Sequence, residues 1–381
     1  MKQAFIGFII LFLLAAGCSR NDLTDYMPML TPGQVETGPR PTLTPSPSPY
    51  AATEPEQKDA DQIQTDPPFI EEPAEIDYFA VKPDESGNIM IIMYHGITDE
   101  NTPSYDRSTE GFLQDLNTLY SQGYRLISMS DLINNRISVE AGCTPVVLTF
   151  DDGRSSAFSL VETEDGLRVK PGCAVDLLLK FCGDHPDFGL AASFYINYYS
   201  EPFQGGGTVA ERLNFLTAIG FEIGNHTYSH IQLNELDAIG IQEEIGRMDA
   251  WIKELTGTAP VALSYPFGIR PVSDLREVAL NGSHGGIDYS YPIGLREGQS
   301  IVTANPAHVQ FDPLNAPRVR GTDSSTSDNE VQDLGYFLRF YERNPNRRYI
   351  SDGNPLRVAV PAGSKNLIDP DKLQGAELFV Y

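Results

Sequence analysis

The chain has 381 residues, enough for a full hydrophobic core in one large domain or two ordinary ones. Its 27 Lys and Arg stand against 52 Asp and Glu, and a formal net charge of -25 excludes a partner gripped through phosphates, so no nucleic acid is expected.

At the N-terminus, Lys2 precedes a mostly apolar run from Ala4 to Ala16. The run is too short to span a bilayer and reads as an export signal over 1–18. Leu14-Ala15-Ala16-Gly17-Cys18 resembles a bacterial lipoprotein signal, although Ala15 stands where that pattern usually has Leu. The resemblance implies lipid on Cys18 and an extracytoplasmic protein anchored to the bacterial cell membrane. An ordinary signal cut nearby, or one left uncut as an anchor, also places the chain outside the cytoplasm. Residues 19–88 are rich in Pro, Ser, Thr, Asp and Glu, as in PRPTLTPSPSPY. Such a segment cannot bury enough apolar surface to offset its ordering entropy, which predicts an extended, disordered linker.

From Ile89 the texture changes to short apolar runs alternating with amphipathic helices, the pattern of an α/β domain. Strands are predicted at Ile89 to Tyr94, Val146 to Phe150, Ala192 to Ile196, Phe221 to Ile223 and Val261 to Tyr265. Thr109 to Gln122 places Phe112, Leu116 and Leu119 on one helical face ahead of Gly123. A second helix, from about Leu236 to Thr256, keeps Ile241, Ile245, Met248, Ile252 and Leu255 in one stripe, with Trp251 beside it as packing. Phe158 to Gly189, charged and Gly-containing, reads as an added surface element able to shape a groove. The domain is predicted over 89–320. Residues 321–381, with a helix through LGYFLRFYER and short strands near Leu356 to Val360 and Leu378 to Tyr381, read as an extension packed on it. After Cys18 only Cys143, Cys173 and Cys182 remain, without a CxxC pair, so a thiolate zinc site is not expected; a Cys173 to Cys182 bridge is one option.

Repeated helix-strand units give parallel strands whose C-terminal ends gather functional groups. LTFDDG, Leu148 to Gly153, ends such a strand on two adjacent carboxylates, and neighbouring strand side chains face opposite ways unless the chain turns at once, as Gly153 permits. Like charges this close call for a cation. His226 and His230, four apart in HTYSH, would share one face if that loop opened into a helical turn. With one Asp they make a two-His, one-carboxylate metal set with positions left open, while the other Asp stays free as a base; spacing does not say which Asp does which.

TFDDG, HTYSH and SYPFG, in that order, resemble the polysaccharide deacetylase family, the NodB homology domain of carbohydrate esterase family 4, and MYHGI at Met93 to Ile97 is similar to one branch of it. The resemblance implies a distorted (β/α) barrel, usually of seven strands, that removes N-acetyl groups from amino-sugar polymers. It makes Asp151 the general base and Asp152, His226 and His230 the ligands of one divalent ion, zinc by expectation, with cobalt, nickel or manganese as alternatives. It maps the oxyanion donor onto the Phe267 N–H after Pro266. Peptidoglycan or another N-acetylglucosamine polymer is the expected substrate. An O-acetyl ester hydrolase, and a non-catalytic carbohydrate-binding lipoprotein on the same fold, are the alternatives.

Three departures stand out. Ser264 occupies the place where the family often has an Arg bracing the base, with Arg270 a candidate replacement. The late Leu-x-His motif that supplies a general acid has no clear match, which leaves His95 at the end of the first strand, and secondarily His308, as candidates; His185 and His284 read as loop residues. The insertion at Phe158 to Gly189 is the third.

Overall fold

A computed structural model describes residues 76–99, 105–298, 303–323 and 332–381. The expected signal and Cys18, and the linker as far as residue 75, lie outside the described residues.

A short helix, α1 (Tyr78–Val81), leads into β1 (Met90–Tyr94), and α2 (Thr109–Ser121), β2 (Tyr124–Leu126), α3 (Met129–Ile133) and β3 (Thr144–Asp151) follow. Next come the hairpin β4 (Leu160–Thr163) and β5 (Gly166–Val169), then α4 (Ala174–Asp184), β6 (Ser193–Ile196), α5 (Val209–Ala218), β7 (Glu222–Asn225), α6 (Ala238–Thr256) and β8 (Leu263–Ser264). The rest is α7 (Arg276–Leu280), the hairpin β9 (Asn281–His284) and β10 (Ile287–Ser290), β11 (Gly294–Glu297), β12 (Ala316–Arg320), α8 (Leu334–Arg343), β13 (Arg357–Val360) and β14 (Glu377–Val380).

Seven strands, in the order β1-β12-β11-β8-β7-β6-β3 and back to β1, close a barrel. Every neighbouring pair in it is parallel. This is the (β/α) barrel that the motifs imply. β2 adds to the outside of the ring, pairing with the first half of β3 while β6 pairs with its second half.

Strand alternation divides the core. Ile92, Tyr94, Leu148, Phe150, Phe194 and Ile196 face the helices, in one cluster with Phe112, Leu116, Met248 and Ile252. Ile91, Val147, Tyr195, Leu295 and Ala316 fill the barrel interior. The inward positions nearer the C-terminal ends are polar: Thr149, Asp151, Ser264 and Arg318, all buried and joined by hydrogen bonds.

α6 shows how sequence builds this shell. Asp237 caps its start by accepting from the Gly240 N–H at 2.9 Å, and Gly257 ends it at φ 72°. Its stripe of Ile241, Ile245, Met248 and Ile252 is fully buried, each side chain stabilising by about 1.5–3 kcal/mol.

Several expectations are corrected. Residues 76–88, predicted as linker, are folded onto the C-terminal segment: Asp84 bridges to Ile350, Asn88 to Arg348, and Glu85 is buried. The acidic composition hid this because Glu85 finds protein donors, the N–H groups of Asp352 and Ala359, in place of water. The segment from Phe158 to Gly189 is not simply a surface addition. Its α4 buries Val175, Leu178, Phe181 and Cys182 in the main core, as a crossover helix between β3 and β6 should. Cys173 and Cys182 are free, buried thiols and form no bridge; they pack as small hydrophobes, and burial pushes the Cys182 thiol up to about 12. Past residue 331 the chain returns to the barrel. Phe337 and Tyr341 of α8 enter the main core, and the parallel pair β13 and β14 closes a small cluster of Val358, Val360, Ile368 and Ala307.

Candidate active site

The C-terminal ends of β1, β3, β7, β8, β11 and β12 surround a cleft of about 220 Å³. Among its lining residues are His95, Asp151, Asp152, His226, His230, Phe267 and Arg318.

At the end of β3 the chain turns at once, with Asp152 at φ 71° and Gly153 at φ 62°. Both Asp side chains thereby serve one site, and a Cβ on Gly153 would stand 2.9 Å from Pro202 Cβ. Asp151 is 2 % exposed and held by a fork: Arg318 donates from Nη1 to Oδ1 at 2.7 Å and from Nη2 to Oδ2 at 2.6 Å. Ser264 Oγ donates to Asp151 Oδ2 at 3.2 Å and accepts from Arg318 Nη2 at 2.8 Å. Burial pushes the Asp151 carboxyl up, but the Arg318 guanidinium, helped by His226, more than reverses this and holds it well below the usual carboxylate range.

Arg318 is the functional residue that the sequence reading missed. Asp151 is braced from β12, and Ser264 completes the fork at the position where the resembled family often has an Arg. The expectation for Arg270 is corrected, since the side-chain partners of Asp151 are Arg318 and Ser264. The available signal was alternation in Ala316-Pro317-Arg318-Val319-Arg320, which puts 316, 318 and 320 on one strand face. With Pro317 and two charges, that segment was not among the predicted strands.

His226 and His230 converge without the helical turn the spacing suggested. They follow β7 through a bend in which Thr227 (φ 65°) and His230 (φ 54°) are left-handed. Glu244 of α6 pins the bend, its carbonyl accepting from the Tyr228 N–H at 3.0 Å and its carboxylate from the Ser229 N–H at 2.7 Å. Of eight non-glycine residues with positive φ among those described, Asp152, Thr227, His230 and Phe267 sit at this site. Each such residue costs on the order of 1–3 kcal/mol and persists only where the surroundings impose it.

The Asp152 carboxylate and the two imidazoles fit a metal ion. His226 Nε2 and His230 Nε2 lie 3.6 and 3.3 Å from Asp152 Oδ1, and the three donor atoms all fall within 4.8 Å of one another. His226 Nδ1 is 2.8 Å from the Ser264 carbonyl oxygen, which can only accept, so the proton sits on Nδ1 and Nε2 presents a lone pair. Burial, with His226 adding to it, pushes His230 down to about 4 and leaves it neutral as a ligand must be.

His95 follows β1 and lines the same cleft, its ring 5.0 Å from that of Tyr105 and its Nδ1 buried without a partner. Burial lowers its pKa while Asp151 and Asp152 pull it back up. The other histidines lie elsewhere. His308 accepts from the Gln310 N–H at 3.0 Å and bridges to Ile368, His185 stacks on Phe181, and His284 packs against Gly246 of α6.

After β8, Pro266 to Gly268 form a single turn closed by the Gly268 N–H on the Tyr265 carbonyl at 3.0 Å. The Phe267 N–H precedes that bond. Gly268 is required where β11 crosses, since a Cβ there would lie 2.8 Å from both Glu297 N and Glu297 Cβ. On the far rim Glu297 pairs with Arg320 and accepts from Tyr105 Oη at 3.3 Å.

The family model described as polysaccharide deacetylase matches residues 191–283, a stretch holding both histidines and the Pro266 turn. That stretch is similar to the polysaccharide deacetylase family. The domain is similar to a chitin deacetylase of Pestalotiopsis sp, 22% identical over 160 residues, which are 35% of this chain and 52% of that protein, so the chain spans about half its length. Among solved structures, the chain aligns with the Streptococcus pyogenes deacetylase PplD in complex with acetate at 17% identity, covering 66% of this chain and 97% of that one, with a TM-score of 0.47. It aligns with IcaB from Ammonifex degensii at 18% identity, covering 67% and 97%, with a TM-score of 0.45.

Proposed function

We propose that this domain is a metal-dependent hydrolase that removes N-acetyl groups from a cell-surface amino-sugar polymer, with peptidoglycan as substrate and zinc as the ion. Export, and lipid on Cys18 holding the protein at the membrane, belong to the same reading. One observation carries it: Asp151 is kept ionised by a buried guanidinium directly beside a three-donor metal set, in a cleft sized for an acetamido group.

An ion held by Asp152, His226 and His230 supplies a Lewis acid that polarises a carbonyl and acidifies water. Asp151 accepts the proton of the attacking water; Arg318 and Ser264 both engage its Oδ2, whereas Oδ1 is engaged by Arg318 alone and keeps a further lone pair. The Phe267 N–H donates to the oxygen on which charge develops. His95 gives the proton that lets the amine leave; burial holds its pKa below the ordinary value, against the opposing pull of Asp151 and Asp152.

The test is acetate release from N-acetylglucosamine oligomers and purified peptidoglycan, with and without added zinc or cobalt, beside Asp151→Asn. Metal-dependent release that the substitution removes supports the deacetylase. Release from acetylated xylan instead replaces it with the ester hydrolase, and no release from any acetylated glycan by the metal-loaded protein sinks the enzymatic reading.

A further inference from the structure

The cleft at the metal set is small. About 220 Å³ lies below the ~300 Å³ at which pockets begin to enclose a small molecule, so it takes the reacting end of a substrate and leaves the rest on the barrel face. One strand along from His226, whose N–H donates to the Ile196 carbonyl at 3.0 Å, the chain leaving β6 presents Tyr198 and Tyr199 to solvent, 48 % and 81 % exposed.

The Tyr198 ring is fixed in place, and Tyr199 beside it is tied through its backbone. Tyr198 stacks on Tyr228 at 4.6 Å and 9°, and the Arg247 guanidinium lies 3.8 Å from the same Tyr228 centroid. Two groups that close cannot share one face, so Arg247, Tyr228 and Tyr198 form a pile that ends on the half-exposed Tyr198 ring. Trp251 props Tyr198 edge-on at 5.0 Å. The turn is also tied to the chemistry: Asn197 accepts from the Tyr199 N–H at 3.1 Å and donates to Asp152 Oδ1 at 3.4 Å.

From this arrangement we infer that Tyr198 and Tyr199 form a sugar-binding shelf, whose occupant is a pyranose ring of the same polymer chain flanking the one that is deacetylated. The inference rests on the proposed deacetylase reading and deepens it. The C–H faces of a pyranose are apolar and slightly positive, matching the negative face of a tyrosine ring, and the phenol hydroxyls meet sugar hydroxyls at the edge. A rigid shelf loses little entropy on binding. The shelf makes the domain selective for chains over single sugars.

The experiment compares kcat/KM on a pentamer and a dimer of N-acetylglucosamine for the wild-type chain, Tyr199→Ala and Tyr198→Ala/Tyr199→Ala. Phe79→Ala, which removes an exposed ring on α1, serves as control. The pentamer-to-dimer ratio should fall about tenfold in the double variant and part of the way in Tyr199→Ala, whose exposed ring carries no fold, and stay at the wild-type value in the control. An unchanged ratio in both tyrosine variants overturns the shelf. Calorimetric binding of the pentamer to Asp151→Asn, with and without the tyrosine pair, separates this from failure of the deacetylase reading. If no variant releases acetate, a roughly tenfold loss of affinity on removing the pair upholds the shelf, and equal affinity overturns it.

Discussion

Two carboxylates buried to similar depth, Asp151 at 2 % exposure and Glu85 at 1 %, are driven in opposite directions. Burial pushes both up. At Asp151 the Arg318 guanidinium reverses the effect and the group stays ionised. At Glu85, in the seam between the segment before β1 and the C-terminal extension, two backbone N–H donors are opposed by burial and by the Asp352 carboxylate, and the pKa rises to about 8. A buried acid is therefore no guide to function until its partner is known. A forked cation makes a base that is ready at neutral pH, whereas backbone donors make a structural clasp.

The comparison can be broken at either end. The largest effect is expected for Asp151→Asn, which keeps shape and removes the proton acceptor; acetate release should fall about 10²–10⁴-fold. Arg318→Met leaves a buried carboxylate without its cation, and urea unfolding should show about 3–5 kcal/mol of lost stability. Freed of the guanidinium, Asp151 should titrate higher, moving the acid limb of the pH-rate profile upward. Because Asp151 is depressed in the folded chain, its pairing contributes above the ordinary carboxylate pKa and fades only in strong acid; Arg318→Met should flatten that dependence. Ser264→Ala removes one hydrogen bond from the fork, and a loss of about 1 kcal/mol by the same unfolding assay would place the serine in support of Arg318. The smallest effect belongs to Glu85. Its folded pKa is raised, so its contribution is complete below its ordinary pKa and is lost as pH rises through about 8. Melting temperatures between about pH 5 and pH 9 should fall more in the wild-type chain than in Glu85→Gln, and parallel curves would remove the clasp from the comparison.

Much of the barrel was legible because β1, β3 and β6 are largely apolar runs buried on both faces, as parallel strands surrounded by helices must be, and Phe221 and Ile223 marked β7. β2, β11 and β12 escaped because YRL, GLRE and APRVR place charges among few apolar residues, of which Glu297 of β11 and Arg318 of β12 line the cleft. The Asp and His positions were legible from local spacing. Their conformation was not, because left-handed residues at Asp152, Thr227 and His230 follow no propensity and are imposed by contacts such as Glu244. Arg318 meets Asp151 across 167 residues of chain, and only closure of the barrel brings the two together.

β3 carries both carboxylates at its end, and it is flanked along its length, by β1 on one side and by β2 then β6 on the other. A strand hydrogen-bonded on both sides has no edge to fray, so its amide hydrogens should exchange only when the whole barrel opens. β13 and β14, a two-stranded sheet whose outer side is held through Ala359 by Glu85, should exchange sooner. The acid pair thus rides on the part of the molecule that comes apart last, and the seam of the chain ends can breathe without loosening it.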